Sequence, residues 1–512
     1  MNYKKLGKIL GKIMVLEGAL MLAPLLVSII YKEGWRNILA FLIPSASVAG
    51  LGLLLQIPKP KREIFYQKEG FALTALVWIV MTLFGAVPFV INGDIPNYID
   101  ACFEIMSGFT TTGSSILNNV SPEIQAHSTL FWRSFSHWIG GMGILVFVLI
   151  FIPESNDGSA MHLLRAESPG PQVGKIVSKM KMTTRILYLI YLGMTVLEVV
   201  ILMLDKPIVG TFSDGTPYDY TNDKFFFSLL AAFGSAGTGG FGFIPGSIEL
   251  FSPFSQYVIA IFLILFGVNF SLYYLLLIGK LKAFFKSEEL RTYLIIVIAA
   301  VGTIFISLMT KAASLPFDYS TEEAFRHSLF QVASIITTTG YSTTDFNLWP
   351  TSAITVLVML MFIGGMAGST AGGIKTSRIM IAVKGAYVNV RKLINPRYVP
   401  KVKFEGKTLE EKTTNDVFSF ITLYLFILLI VVFLLSFDKA NDAASHGFFS
   451  NFSAALSCLS NIGPGFEAVG PYASFAGYNG FSKIILTLTM MIGRLEILPV
   501  LILFSPKTWK KV

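Results

Sequence analysis

Four short stretches set glycine among small hydroxyl residues in apolar surroundings. They are Thr110-Thr-Thr-Gly113-Ser-Ser, Gly237-Thr-Gly-Gly240-Phe-Gly, Thr337-Thr-Thr-Gly340-Tyr-Ser and Ser460-Asn-Ile-Gly463-Pro-Gly. A dehydrated monovalent cation needs a cage of oxygens, and inward-pointing backbone carbonyls can supply it. Glycine provides the unusual dihedrals of such a turn. No carboxylate occurs in the four turns, which favours a K⁺-type filter over a ring of Asp or Glu. The candidate filter is Thr111, Thr112 and Gly113, with Thr238, Gly239 and Gly240, Thr338, Thr339 and Gly340, and Asn461, Ile462 and Gly463. The expected K⁺ ligands are the carbonyls of Thr111, Thr112, Thr238, Gly239, Thr338, Thr339, Asn461 and Ile462. A single Thr-Thr-Thr-Gly is an ordinary turn, and it is the repetition in register that carries the reading.

The elements that must position these turns are legible in the hydropathy. Runs of about 20 apolar residues, each long enough to span a bilayer, fall near 9–31, 37–57, 71–92, 129–152, 184–204, 254–279, 291–310, 351–364 with continuation past an interruption, 415–437 and 480–504. Shorter apolar stretches at 97–110, 223–236, 321–337 and 443–459 precede the turns. Each starts at or beside a helix-capping residue type such as Asn222, Thr321 or Ser445. They read as re-entrant helices whose C-termini aim partial negative charge at the ion. The fold class expected is therefore an all-α integral membrane protein, with ten transmembrane helices, four re-entrant loops and a fourfold pseudosymmetric pore.

The domain division expected is an N-terminal two-helix extension (1–70) and four repeats at 71–183, 184–290, 291–412 and 413–512. A second glycine recurs at Gly140, Gly267, Gly364 and Gly493, lying 27, 27, 24 and 30 residues after its turn glycine.

Composition agrees. The chain is 53% hydrophobic and 14% charged, against about 25% charged in soluble proteins. Net charge is +9, but with an inside N-terminus 30 of the 40 Lys and Arg fall in inside segments. The surplus therefore reports orientation, with both termini cytoplasmic, and not nucleic-acid binding. Two cysteines, Cys102 and Cys458, and five scattered histidines form no metal or catalytic motif, so the expectation is a non-enzyme without a prosthetic group. Gly237 to Gly242 fits GxGxxG but lacks a βαβ context. Gly368 to Thr376 resembles a phosphate-binding loop but has Ile374 where lysine is required.

The stretches Ser107-Gly-Phe-Thr-Thr-Thr-Gly113, Trp138-Ile-Gly-Gly-Met-Gly143, Ile336-Thr-Thr-Thr-Gly-Tyr-Ser-Thr-Thr-Asp345, Gly364-Gly-Met-Ala-Gly-Ser-Thr-Ala-Gly-Gly-Ile-Lys375 and Gly493-Arg-Leu-Glu496 resemble the TrkH/TrkG/KtrB superfamily of potassium transporters. The two extra N-terminal spans resemble its TrkH/TrkG branch. The resemblance implies K⁺ uptake across a bacterial inner membrane, a homodimer with one pore per subunit, and a cytoplasmic nucleotide-binding ring subunit of the TrkA kind. It also implies that a loop beneath the filter obstructs the pore. The second and fourth turns depart from the pattern: Gly237-Thr-Gly-Gly240 lacks paired threonines and Asn461-Ile-Gly463 lacks threonine.

Two elements read as gates. Gly364, Gly365, Gly368, Gly372 and Gly373 crowd ten residues where a helix should continue, each costing ~1 kcal/mol relative to Ala in a helix. The alternative is a kink for close helix packing. Arg494 lies deep in the last span, where a charge is costly and implies function. The alternative is an ion pair, with Glu17 or Glu198 as partner. Its equivalents in the other repeats are Gly141, Val268 and Gly365. Lys375 reads as marking the cytoplasmic edge. The basic stretch 374–412 reads as meeting lipid phosphates or a partner, or as a solvated loop. An ion-coupled symporter with alternating access is the other transport class.

Overall fold

A computed structural model describes residues 2–58, 67–143, 180–211, 217–310, 318–395, 401–438 and 446–509. Apart from three two-stranded pairings, its regular structure is helical. Among the described residues, six helical segments are long and apolar enough to cross a membrane, and a seventh is if the bent pair Pro253–Phe266 and Phe270–Leu277 is one span. Their outward faces carry bare Leu, Ile and Phe, as along Glu411–Leu435. A soluble surface does not tolerate such a face, whereas hydrocarbon does.

The N-terminal extension is two spans, Tyr3–Ile30 and Trp35–Gln56. The first is interrupted at Met21. They approach closely because small residues face each other: a Cβ on Gly11 would lie 2.4 Å from the Gly52 carbonyl oxygen. Small residues at such crossings are what membrane helices use to pack.

Each of the four expected short helices forms. They are Tyr98–Phe109, Lys224–Gly237, Thr321–Ile336 and Phe448–Ser460. Asn97 caps the first through Ile99 N, and Ser320 with Glu323 forms a capping box on the third. Two residues named as caps shift by one: Asp223 stands at the second and Ser320 at the third. Ser445 lies outside the described residues.

The helices that follow the turns are not the uninterrupted spans expected at 129–152, 254–279 and 480–504. They stop at the recurring glycine: His127–Gly141, Pro253–Phe266, Thr351–Phe362 and Gly480–Arg494. Continuation of the first beyond Gly143 lies outside the described residues. The second bends by 94° across its break. The fourth breaks through Glu496 and Ile497, at φ +56° and +71°. The cause is close approach. A Cβ on Gly140 would stand 1.9 Å from the Phe109 carbonyl oxygen, and one on Gly493 would stand 2.2 Å from that of Leu459. At both positions glycine lets the second helix touch the end of its own short helix, and the chain turns there.

Candidate functional site

The four turns are built alike. Each short helix ends in a left-handed residue, Thr111, Thr238, Thr338 or Asn461, with φ between +54° and +57°. The next residue's amide then reaches back five positions: Thr112 N to Ser107 O, Gly239 N to Gly234 O, Thr339 N to Ser334 O and Ile462 N to Ser457 O, at 2.8 to 3.0 Å. This 6→1 bond is the Schellman closure of a helix C-terminus. The residue after that is Gly113, Gly240, Gly340 or Gly463, all at positive φ.

The turns meet in cyclic order. A Cβ on Gly113 would lie 1.9 Å from Gly239 O, and one on Gly240 1.9 Å from Thr339 O. One on Gly340 would lie 2.0 Å from Ile462 O, and one on Gly463 2.9 Å from Thr112 O. Each glycine thus faces the carbonyl of the following turn, and the fourth faces the first. A cavity of about 360 Å³ is lined by all four glycines, together with Glu249 and Tyr472. Carbonyls and short-helix C-termini around such a space favour a cation.

The turns are braced from outside. Glu104 and Arg133 form a buried ion pair at 2.8 Å. Glu104 also accepts from Ser115 Oγ and Ile116 N, each at 2.9 Å. Arg133 donates to Gly242 O at 2.8 Å and stacks on Phe241. The chain just after the first turn is thereby tied to that just after the second. Neither residue was singled out from sequence, although a carboxylate and an arginine inside apolar runs were the available signal.

The segment 364–373 lies against these turns. Ile363–Gly364 pairs in parallel with Ile374–Lys375, so the ten-residue loop is pinched at its base. Gly372 N donates to Thr338 Oγ1 at 2.6 Å, and a Cβ on Gly372 would lie 2.3 Å from Ser460 O. Met366 N donates to Gly267 O at 2.9 Å. A Cβ on Gly364 would lie 2.1 Å from Gly372 O, and one on Gly365 3.0 Å from Gly267 O. Gly368 and Gly373 have φ of +76° and +66°.

Arg494 reaches this loop. Its guanidinium donates to Thr370 O at 3.0 Å, Gly140 O at 2.5 Å and Gly141 O at 2.8 Å. The two acids considered as its partners, Glu17 and Glu198, are not hydrogen-bonded to it. Glu496 pairs with Arg378. Glu17 and Glu198 are buried, with no hydrogen-bond partner for their carboxylate oxygens. Lys375 immediately precedes the helix Thr376–Ile394. It is half-buried, and its ammonium turns back to donate to Ala371 O. The physical reason is that irregular backbone leaves carbonyls without helical partners.

A multi-pass helical membrane protein with cyclic carbonyl-lined turns is the class that the fold and this site define. The sequence matches the TrkH family, described as "Cation transport protein", over residues 36–511. The chain belongs to that family, in its TrkH/TrkG branch, and the family is one of transporters rather than of enzymes. It is 31% identical to the "Trk system potassium uptake protein TrkH" of Salmonella typhimurium, covering 100% of both chains. It is 30% identical to the TrkG protein of Escherichia coli, covering 96% of this chain and 95% of the other. The crystal structure of the potassium transporter TrkH from Vibrio parahaemolyticus superposes with a TM-score of 0.82 at 28% identity, covering 100% of both chains.

Proposed function

We propose that this chain takes up K⁺ through a central, fourfold pseudosymmetric pore with ten membrane-crossing segments. The carbonyls of the four turns form the filter, and the ion is cargo rather than cofactor. The observation that carries this reading is the cyclic approach of each turn glycine to the next turn's carbonyl. Arg494 and the 364–373 loop form the gate. Their support is position: the loop abuts Thr338 and Ser460, and the arginine fixes it to the first repeat. A cation at this level opposes cation passage until the loop moves.

In this reading the protein sits in a bacterial inner membrane as a homodimer, with both termini and the basic stretch 374–412 on the cytoplasmic side. Lipid and a nucleotide-binding ring subunit of the TrkA kind meet that face. Arg391, Lys392, Lys401 and Lys403 are among the exposed side chains of that stretch.

The test is flux of K⁺ and Na⁺ into liposomes carrying the purified protein, with and without an imposed pH gradient. K⁺ flux down its own gradient, exceeding Na⁺ flux, is expected. A requirement for the pH gradient would establish coupled transport instead.

A further inference from the structure

The 364–373 loop is held from the side by a residue absent from every motif above. Glu289 is the second residue of the helix Glu288–Thr310 and is only 2% exposed. One of its carboxylate oxygens, Oε1, accepts from Ala367 N at 2.8 Å and from Ser377 N at 3.0 Å. The first amide lies inside the loop and the second just beyond its base. One oxygen thus bridges two backbone donors ten positions apart.

Glu289 is in turn positioned by a hairpin from the basic stretch. Lys403–Phe404 pairs with Lys407–Thr408, and Glu405 and Gly406 make the turn at φ +48° and +72°. Glu405 Oε1 accepts from Glu289 N at 3.0 Å and from Ser287 Oγ at 2.8 Å. Glu405 N donates to Glu288 Oε2 at 3.2 Å. Lys384 pairs with Glu288 and donates to Lys403 O at 3.0 Å. The hairpin therefore shares the N-terminal capping of the helix that carries Glu289 with Ser287, whose Oγ accepts from Leu290 N at 3.3 Å.

We propose that Glu289 is the positioning residue that keeps the 364–373 loop in place, and that the 403–408 hairpin, through Glu405, is the handle by which events at the basic face reach it. This rests on the gate reading above. A glycine-rich segment has much conformational freedom to regain. Without the carboxylate, one buried and one part-buried amide lose their acceptor and the loop loses its lateral tie.

The test separates the tie from the gate. A spin label on Ser369→Cys, in full-length protein with Cys102→Ser, reports loop mobility in liposomes, and K⁺ flux is measured on the same preparations. Glu289→Ala is expected to mobilise the label and raise flux about fivefold, a typical coupling between sites. Glu289→Gln keeps a carbonyl acceptor and should stay near the parent. Glu405→Ala should shift both readouts the same way by less, and add nothing to Glu289→Ala. Ser377→Pro removes one donor at a helix position that tolerates proline, and serves where Glu289→Ala fails to fold. An immobile label in Glu289→Ala, or in Ser377→Pro as its substitute, overturns the proposal. Full additivity with Glu405→Ala overturns the handle. A mobilised label with unchanged flux upholds the tie and removes the loop as gate.

Discussion

The Arg494 guanidinium donates to the Gly140 carbonyl at 2.5 Å, across 354 residues of chain. Gly141, which also accepts from Arg494, is the residue that the expected repeat aligns with the arginine. One long cation thus fills a place that glycine leaves open in another repeat, and four arginines there would repel one another. Arg494→Ala should raise K⁺ flux at least about fivefold, as a typical intersite coupling. Arg494→Lys should be intermediate, because a point-like ammonium does not reproduce a planar fork. Unchanged flux in a folded Arg494→Ala protein would make the arginine a structural tie.

Gly113→Ala should abolish K⁺ flux. The added Cβ would fall 1.9 Å from Gly239 O at φ +81°. Gly279 is the control: its φ is +75°, with nothing within 4 Å of a Cβ. Gly279→Ala carries the backbone cost of about 1 kcal/mol without the collision, and should retain flux. Equal loss in both variants would show that strain, not the shape of the ring, is being measured.

Asn461 ties the fourth turn to the first. Its Nδ2 donates to Thr112 Oγ1 and to Met490 O, each at 2.9 Å. Asparagine tolerates the left-handed backbone at this position. Asn461→Asp keeps the shape but replaces the donor with an acceptor. Discrimination of K⁺ over Na⁺ should weaken about fivefold, the equivalent of one hydrogen bond, in paired ⁸⁶Rb⁺ and ²²Na⁺ uptake. Unaltered discrimination would mean that carbonyl geometry survives without this tie.

The Glu104–Arg133 pair is a stability prediction. Both side chains are almost fully buried. Removing one partner strands the other charge at a cost of roughly 3–5 kcal/mol. Glu104→Leu or Arg133→Met alone should lower the thermal midpoint in detergent sharply, and the double variant should recover part of the loss. A double variant as unstable as the sum of the singles would argue against direct pairing.

The short helices and their turns were legible because their signals are local. An apolar run and a terminal Gly-containing turn mark each of them, side-chain caps mark the first and third, and the structure places all four within a few residues of expectation. The interruptions of the second spans were legible only in the third, where five glycines fall in ten residues. Hydropathy does not register a bend. The weaker signals were Asn269, which caps Phe270–Leu277, and Pro499 in the first turn of Leu498–Phe504. Glu289 and Glu405 meet over 116 residues, and Lys375 turns back on a loop that forms only in the fold. Such pairings leave no trace in periodicity.

The helices that follow the turns all end within two residues of the recurring glycine, at Gly141, Phe266, Phe362 and Arg494. A continuous helix is a stiff rod, and pushing its lower end moves its upper end. An interrupted one transmits little torque. In the proposed reading, the segments described beyond the second, third and fourth breaks can shift while the ring of turns keeps its dimensions. In that reading, with the ring as filter and the loop as gate, recognition of the ion is mechanically insulated from the machinery that admits it, and opening and closing leave discrimination unchanged.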